Sequence, residues 1–212
     1  MKPIKKKPAE TTEDYIADLQ NALVQNQDCG TTHYNLAVAL LKQGQWDEAI
    51  KEFGAAIESS PTLAEAYVDM AGIYMQRGDL ESCIRLNREA SKVRPKFAVP
   101  YGNLGFAYLQ KGDLEAAIES LEKAVEINPQ FVQAFTTLGS AYLMAGRLEE
   151  SILALLKALG LAPGFAVAHN NLALAYFEKG EFKLAVEHAD QALASGYSVN
   201  QAFLKELEPY RK

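Results

Sequence analysis

The chain has 212 residues, 49% of them hydrophobic and 23% charged, which is the composition of an ordinary soluble globular protein. Its net charge is −6, and because Lys2, Lys5, Lys6 and Lys7 contribute +4, residues 8–212 carry −10. An acidic body argues against nucleic acid as the main partner, no apolar run is long enough to span a bilayer, and two cysteines are too few for a disulfide framework. The lysines near the start have no apolar stretch behind them of the kind a secretory signal needs, so a cytoplasmic protein with reduced thiols is expected.

Residues 1–10 are rich in lysine and proline and read as a disordered basic tail. Residues 11–29 hold an N-terminal capping helix, with Tyr15, Ile16, Leu19, Ala22 and Leu23 on one side and Thr11 or Thr12 as its N-cap. From residue 30 the sequence becomes periodic. The windows 30–63, 64–97, 98–131, 132–165 and 166–199 superpose without an insertion. Their fourth position holds His33, Tyr67, Tyr101, Phe135 and His169. Their seventh holds Leu36, Met70, Leu104, Leu138 and Leu172. Positions eight and twenty are small throughout, position fifteen is always Gly, and position twenty-seven is always Ala. Position thirty-two is Pro in four windows and Tyr197 in the fifth.

Each window reads as two helices. Large apolar residues at positions four, seven and eleven follow helical spacing. The Gly ends the first helix, where a left-handed residue costs least as Gly. Asp79 and Asp113 follow it and suit an N-cap for the second helix. The Pro cannot continue that helix and closes it, and Gly196 takes over this role before Tyr197. The small residues let paired helices approach, and the Ala at twenty-seven leaves room for the next window. Stepping back one period puts Tyr15, Leu19 and Ala22 in the frame of a second helix, so residues 11–27 cover the open end of the array. Residues 200–212 form a C-terminal capping helix and tail, with Asn200 as N-cap, Phe203, Leu204 and Leu207 on one face, and Pro209 ending the helix.

This pattern resembles the tetratricopeptide repeat family over residues 30–199. The resemblance implies an all-α, right-handed α-solenoid of five stacked helix-turn-helix repeats between terminal caps. Leu40 stands where the other repeats have Tyr74, Tyr108, Tyr142 and Tyr176. Asn87 occupies a position that usually holds a large apolar residue, and Gly160 is read as shortening the second helix of repeat four.

No catalytic constellation is visible, no metal or cofactor is expected, and the protein reads as a non-enzyme. His33 and His169 fall where other repeats carry Tyr or Phe and read as packing residues, while His188 reads as isolated on a second helix. No two histidines lie three or four apart, and there is no phosphate-binding glycine loop, G-x-S-x-G elbow or Cys-x-x-Cys.

Helical geometry points to a partner-binding face. At about 100° per residue, positions two, five, six, nine, twelve and thirteen lie opposite the inward cluster. In the tetratricopeptide family the first-helix face lines a concave groove that holds partner segments. Position six supplies Asn35, Asp69, Asn103, Thr137 and Asn171, short polar groups similar to the asparagine ladder of some peptide-binding members. Tyr34, Val38, Phe106, Asn170 and Phe177 add anchors around them, and Lys42 sits at position thirteen. Tyr34, Phe106 and Phe177 are the aromatic candidates for binding hot spots. Positions two and six of repeats one to three hold no basic residue, so a carboxylate clamp is not supported.

The reading is a non-catalytic scaffold or adaptor whose groove takes an extended or helical, partly apolar protein segment. The alternatives are a chaperone shielding an apolar client segment and a scaffold that assembles with copies of itself through its terminal helices. Enlarging Ala124 to Leu is predicted to overpack the junction with the next repeat and to cost roughly 1–3 kcal/mol, as a thermal melt would show.

Overall fold

The computed structural model describes residues 11–211, and the basic tail assigned to residues 1–10 lies outside them. The described residues form twelve α-helices and one 3₁₀ turn, with no strand. The chain divides into two compact units, Met1–Pro95 and Lys96–Lys212, and the cut falls at the end of repeat two.

In the first unit, α1 (Thr12–Gln25) precedes two helix pairs: α2 (Gly30–Lys42) with α3 (Trp46–Ser59), then α4 (Ala64–Gln76) with α5 (Leu80–Val93). Each helix packs on the next in order. Thr11 caps α1 in a full capping box, with Thr11 Oγ1 accepting from the Asp14 N–H and Asp14 accepting from the Thr11 N–H, both at 3.1 Å. Ile16 is buried and Leu19 and Leu23 are half-buried against α2. Tyr15 and Ala22, expected on that side, are exposed.

In the second unit the pairs are α6 (Ala98–Lys111) with α7 (Leu114–Ile127), α8 (Val132–Met144) with α9 (Leu148–Leu161), and α10 (Ala166–Glu178) with α11 (Phe182–Ala194). The first helices also touch one another, α6 on α8 and α8 on α10. The short α12 (Gln201–Leu207) and the turn Glu208–Tyr210 close on α11. Asn200 Oδ1 accepts from the Ala202 N–H at 2.8 Å, as its N-cap assignment requires. Pro209 sits inside the 3₁₀ turn, which carries Tyr210 back onto Phe182 with ring centroids 3.9 Å apart.

The glycine at position fifteen of every repeat has φ between 72° and 81°, and Gly196 has φ 82°. Gly196 ends α11 at Ala194, so that helix has 13 residues where the other four second helices have 14. Asp79 and Asp113 cap their helices by accepting from the N–H groups of Ser82 and Ala116, at 3.0 and 3.1 Å. Gly160 does not shorten α9, which runs the same 14 residues as α7. Burial of Ile152, Leu155 and Ala158 holds the helix to its full length against a glycine penalty of about 1 kcal/mol.

Within each pair, position eight of the first helix meets position twenty-four of the second. A Cβ on Gly105 would lie 2.3 Å from Leu121 Cγ, and one on Gly139 would lie 2.5 Å from Leu155 Cγ. Leu121 and Leu155 are fully buried in that space. In repeat five both members are alanine, Ala173 and Ala189, and both are fully buried. Asn87 is also fully buried; its Nδ2 donates to the Cys83 carbonyl at 2.9 Å, so the amide is satisfied inside its own helix. Ser151 fills a small-residue site and donates from Oγ to the Gly139 carbonyl at 2.7 Å. Every side-chain nitrogen and oxygen buried by this packing has a hydrogen-bond partner among the described residues.

Position four is polar glue rather than plain packing. His33, Tyr67 and His169 each reach the carbonyl six residues back, on Gln27, Pro61 and Pro163, at 2.8, 3.2 and 2.9 Å. That carbonyl belongs to position thirty-two of the preceding frame, so in these three repeats the bond ties the helix pair to the turn before it. The packing-only reading of His33 and His169 is corrected accordingly.

The Gly105–Leu121 contact yields a quantitative expectation. Gly105→Ala should destabilise the protein by roughly 1–3 kcal/mol in urea unfolding. Leu121→Ala alone should cost about 2–5 kcal/mol, and the double variant should lose less than the two single losses summed, because the added methyl takes up space the leucine vacates; strictly additive losses would contradict the contact.

Candidate functional site

The first unit holds a recess of about 410 Å³ between α1 and α2. Tyr34, Asn35, Val38 and Lys42 line its α2 wall, and Thr11, Thr12 and Tyr15 form the wall from α1. Four residues chosen from helical periodicity therefore meet in one concavity. The first turn of α1, read from its frame as a cover for the array's end, flanks this recess.

Tyr34 is half-buried. Its ring lies 5.8 Å from that of Phe53, and its hydroxyl donates to Asp69 Oδ2 at 2.8 Å. Burial pushes the Tyr34 pKa up, and the Asp69 bond adds to the effect, so the phenol stays neutral. Burial also raises the Asp69 pKa, although the Tyr34 hydrogen bond partly offsets it. Behind them Arg94 grips Glu65 with both nitrogens, at 2.6 and 2.9 Å, and holds that carboxyl below its usual range. Asn35 makes no side-chain hydrogen bond among the described residues. Its amide is an uncommitted polar group of the recess.

In the second unit the same face runs along α6, α8 and α10. Asn103 is half-buried and Phe106 is 42% exposed. Thr137 donates to the Gln133 carbonyl of its own helix at 2.9 Å. Asn171 donates to Ser140 Oγ at 2.7 Å, and Asn170 donates to Asn171 Oδ1 at 3.3 Å. Part of the polar row is thus engaged internally, which fixes the side chains but leaves acceptor oxygens on Thr137 and Asn170. Phe177 does not stand free. Phe182, Phe203 and Tyr210 meet it edge-on, at 5.4, 5.4 and 6.5 Å. Together with Asn170 and Leu174 it lines a recess of about 580 Å³ whose other wall is Tyr197, Asn200 and Phe203. Of the three aromatic candidates, Phe106 alone is classed as exposed.

Among the described residues no group of three His, Cys, Asp or Glu side chains is placed to hold a metal ion, and no helix is long and apolar enough to cross a membrane.

Family profiles described as TPR repeat match residues 107–146 and 139–180, and profiles described as tetratricopeptide repeat match residues 40–102 and 166–196. The chain belongs to the tetratricopeptide repeat family. No curated protein sequence matches it. Among solved structures this tetratricopeptide array is similar to MamA, with 26% identity over 76% of this chain and 94% of MamA and a TM-score of 0.69. It is also similar to PilF of Pseudomonas aeruginosa, with 19% identity, coverage of 87% and 85%, and a TM-score of 0.75. YrrB, a tetratricopeptide protein, matches with 19% identity, coverage of 90% and 97%, and a TM-score of 0.74. At those identities the likeness to PilF and YrrB is one of fold. Tetratricopeptide proteins are protein-interaction scaffolds that bind protein partners.

One pairing escaped the linear reading of the array. His188 is not isolated: its Nδ1 lies 2.9 Å from Nδ1 of His169, and its ring stacks on Tyr176 at 5.5 Å. The Pro163 carbonyl can only accept, so His169 Nε2 carries a proton and Nδ1 accepts from His188. Burial lowers the His188 pKa, the neighbouring His169 lowers it further, and the Glu187 charge opposes them. His33 behaves in the opposite way. Burial alone would lower its pKa, but hydrogen bonds to Glu52 (2.6 Å) and the Gln27 carbonyl, with the Glu52 charge, outweigh that and raise it.

These opposed shifts predict a pH profile. Below the ordinary histidine value of 6.5 the unfolded chain protonates at His188 while the folded chain resists, so stability is lost as pH falls. The His33 contribution is complete below 6.5 and is lost as pH rises through its raised value. In urea unfolding from pH 5 to 8, His188→Gln should flatten the acid-side loss and His33→Gln the alkaline-side loss.

Proposed function

We propose that this array is a non-catalytic scaffold that holds a segment of a partner protein against the outward residues of its first helices. The observation that carries this reading is the recess between α1 and α2. There an uncommitted amide, Asn35, sits beside the apolar surfaces of Tyr34 and Val38 and the cation of Lys42. An extended peptide needs such a mixture: polar side chains for its backbone groups and apolar sites for alternate side chains. Its volume, about 410 Å³, lies within the range of roughly 300–1,000 Å³ common for ligand sites.

In the second unit Asn103, Phe106, Thr137, Asn170 and Asn171 continue the same chemistry. Phe106 supplies the exposed aromatic anchor. The bonds that fix Thr137 and Asn171 spare the partner part of the entropy of ordering them. Phe177 acts from beneath, as a wall set by α12 rather than as a free anchor.

The variants Asn35→Ala with Val38→Ala, and Asn103→Ala with Phe106→Ala, test this in affinity capture from native cell extract. Each pair should reduce capture of the partner by about tenfold or more, with helicity and melting temperature unchanged. Undiminished capture by both variants would remove the first-helix face from the interaction.

A further inference from the structure

The recess between α10 and the segment leading into α12 is built on the same repeat positions as the recess beside α1. Positions five, nine and thirteen supply Asn170, Leu174 and Glu178 in repeat five, and Tyr34, Val38 and Lys42 in repeat one. In the three repeats between them position thirteen is uncharged, holding Gln76, Gln110 and Met144. The charge at this position therefore changes sign from one recess to the other. The terminal helices add to the difference. Helix α12 contributes Glu206, one turn from the buried Phe203, whereas α1 contributes Thr11, Thr12 and Tyr15. One recess is thus lined with a cation and no carboxylate, and the other with two carboxylates and no cation.

Neither carboxylate is spent inside the molecule. Glu178 and Glu206 are exposed and form no ion pair among the described residues. Lys179 pairs with Glu181 and Arg211 with Asp190. Lys205 lies about 100° around α12 from Glu206 and does not line the recess. Asn170 donates to Asn171 and keeps its own oxygen as a further acceptor. Between these acceptors the lining is apolar, with Leu174, Phe177, Tyr197 and Phe203.

A long cationic side chain matches that pattern, because its methylene stem covers apolar surface while its head stays at the polar rim. A carboxylate entering the recess would meet like charge. A plain apolar side chain would strip water from both acids without pairing either. We propose that this recess is the subsite for a lysine or arginine of the bound segment, an inference that rests on the first-helix face as the partner-binding surface. The stem would lie on Leu174, Phe177 and Tyr197, and the charged head would pair with Glu178 and Glu206.

The test selects peptides from a phage-displayed library of random twelve-residue sequences on the full chain and on its variants. Peptides recovered by the wild-type chain should be enriched in arginine or lysine at one position. Glu178→Gln with Glu206→Gln should abolish that enrichment, and Glu178→Lys with Glu206→Lys should shift it to aspartate and glutamate. Both sites are exposed, so these variants should melt as the wild-type chain does. Glu115→Gln with Glu119→Gln, which removes the same charge outside the recess, should change nothing. In fluorescence anisotropy with the most enriched peptide, citrulline in place of its arginine, or glutamine in place of its lysine, should weaken binding by about tenfold. The same replacement should have no effect on the Glu178→Gln with Glu206→Gln variant, and only the wild-type complex should weaken as salt is raised. The proposal is overturned if the recovered peptides show no basic preference, if that preference survives Glu178→Gln with Glu206→Gln, or if charge reversal fails to reverse it. Peptides without a basic preference whose binding is lost in Asn103→Ala with Phe106→Ala would overturn this subsite and leave the first-helix face standing. Peptides indifferent to every one of these variants would overturn both.

Discussion

Close approach of the two helices in each repeat is the constraint on which the rest depends. It is set by one contact, position eight against position twenty-four, where the volume of one side chain is traded against the other. Glycine meets leucine in repeats three and four, and the same two positions hold two alanines in repeat five, alanine and phenylalanine in repeat one, and alanine and asparagine in repeat two. Interiors pack at crystal-like density, so each pairing sets how near the helices lie. The invariant Ala at position twenty-seven then seats the following repeat, and all five of these alanines are fully buried.

With the inward positions taken up by packing, recognition is proposed to fall to the outward first-helix positions. Their polar row is not uniform. Asn35 is uncommitted, Asp69 is held by Tyr34, Thr137 by its own helix and Asn171 by Ser140. Ordered side chains present a defined pattern of acceptors and apolar surface, which favours a specific segment over a merely sticky one. In the first unit α1 walls the recess beside Asn35, and in the second α12 with its 3₁₀ turn braces Phe177.

Much of this was legible in the sequence because it rests on local backbone chemistry repeated five times. Left-handed glycines, proline stops, and the Asp79 and Asp113 caps each follow from what one residue type permits. What escaped it depends on partners distant in the chain. The His169–His188 bond joins residues 19 apart, and only overlaying the positions of two helices would have shown that position four faces position twenty-three. Tyr15, grouped with the inward residues of α1, stays exposed and instead lines the recess beside Tyr34. The bracing of Phe177 depends on the docking angle of α12, which no period encodes. Gly160 was read as a helix stop, yet the buried residues around it keep α9 whole.

Site-specific photo-crosslinking in cells addresses the central claim, that a partner lies along the first-helix face. A photoreactive phenylalanine analogue would replace Asn35, Phe106 or, on the outside of α3, Lys51. The account predicts adducts with the same partner from positions 35 and 106 and none from 51. Adducts from 51 with none from 35 and 106 would contradict it.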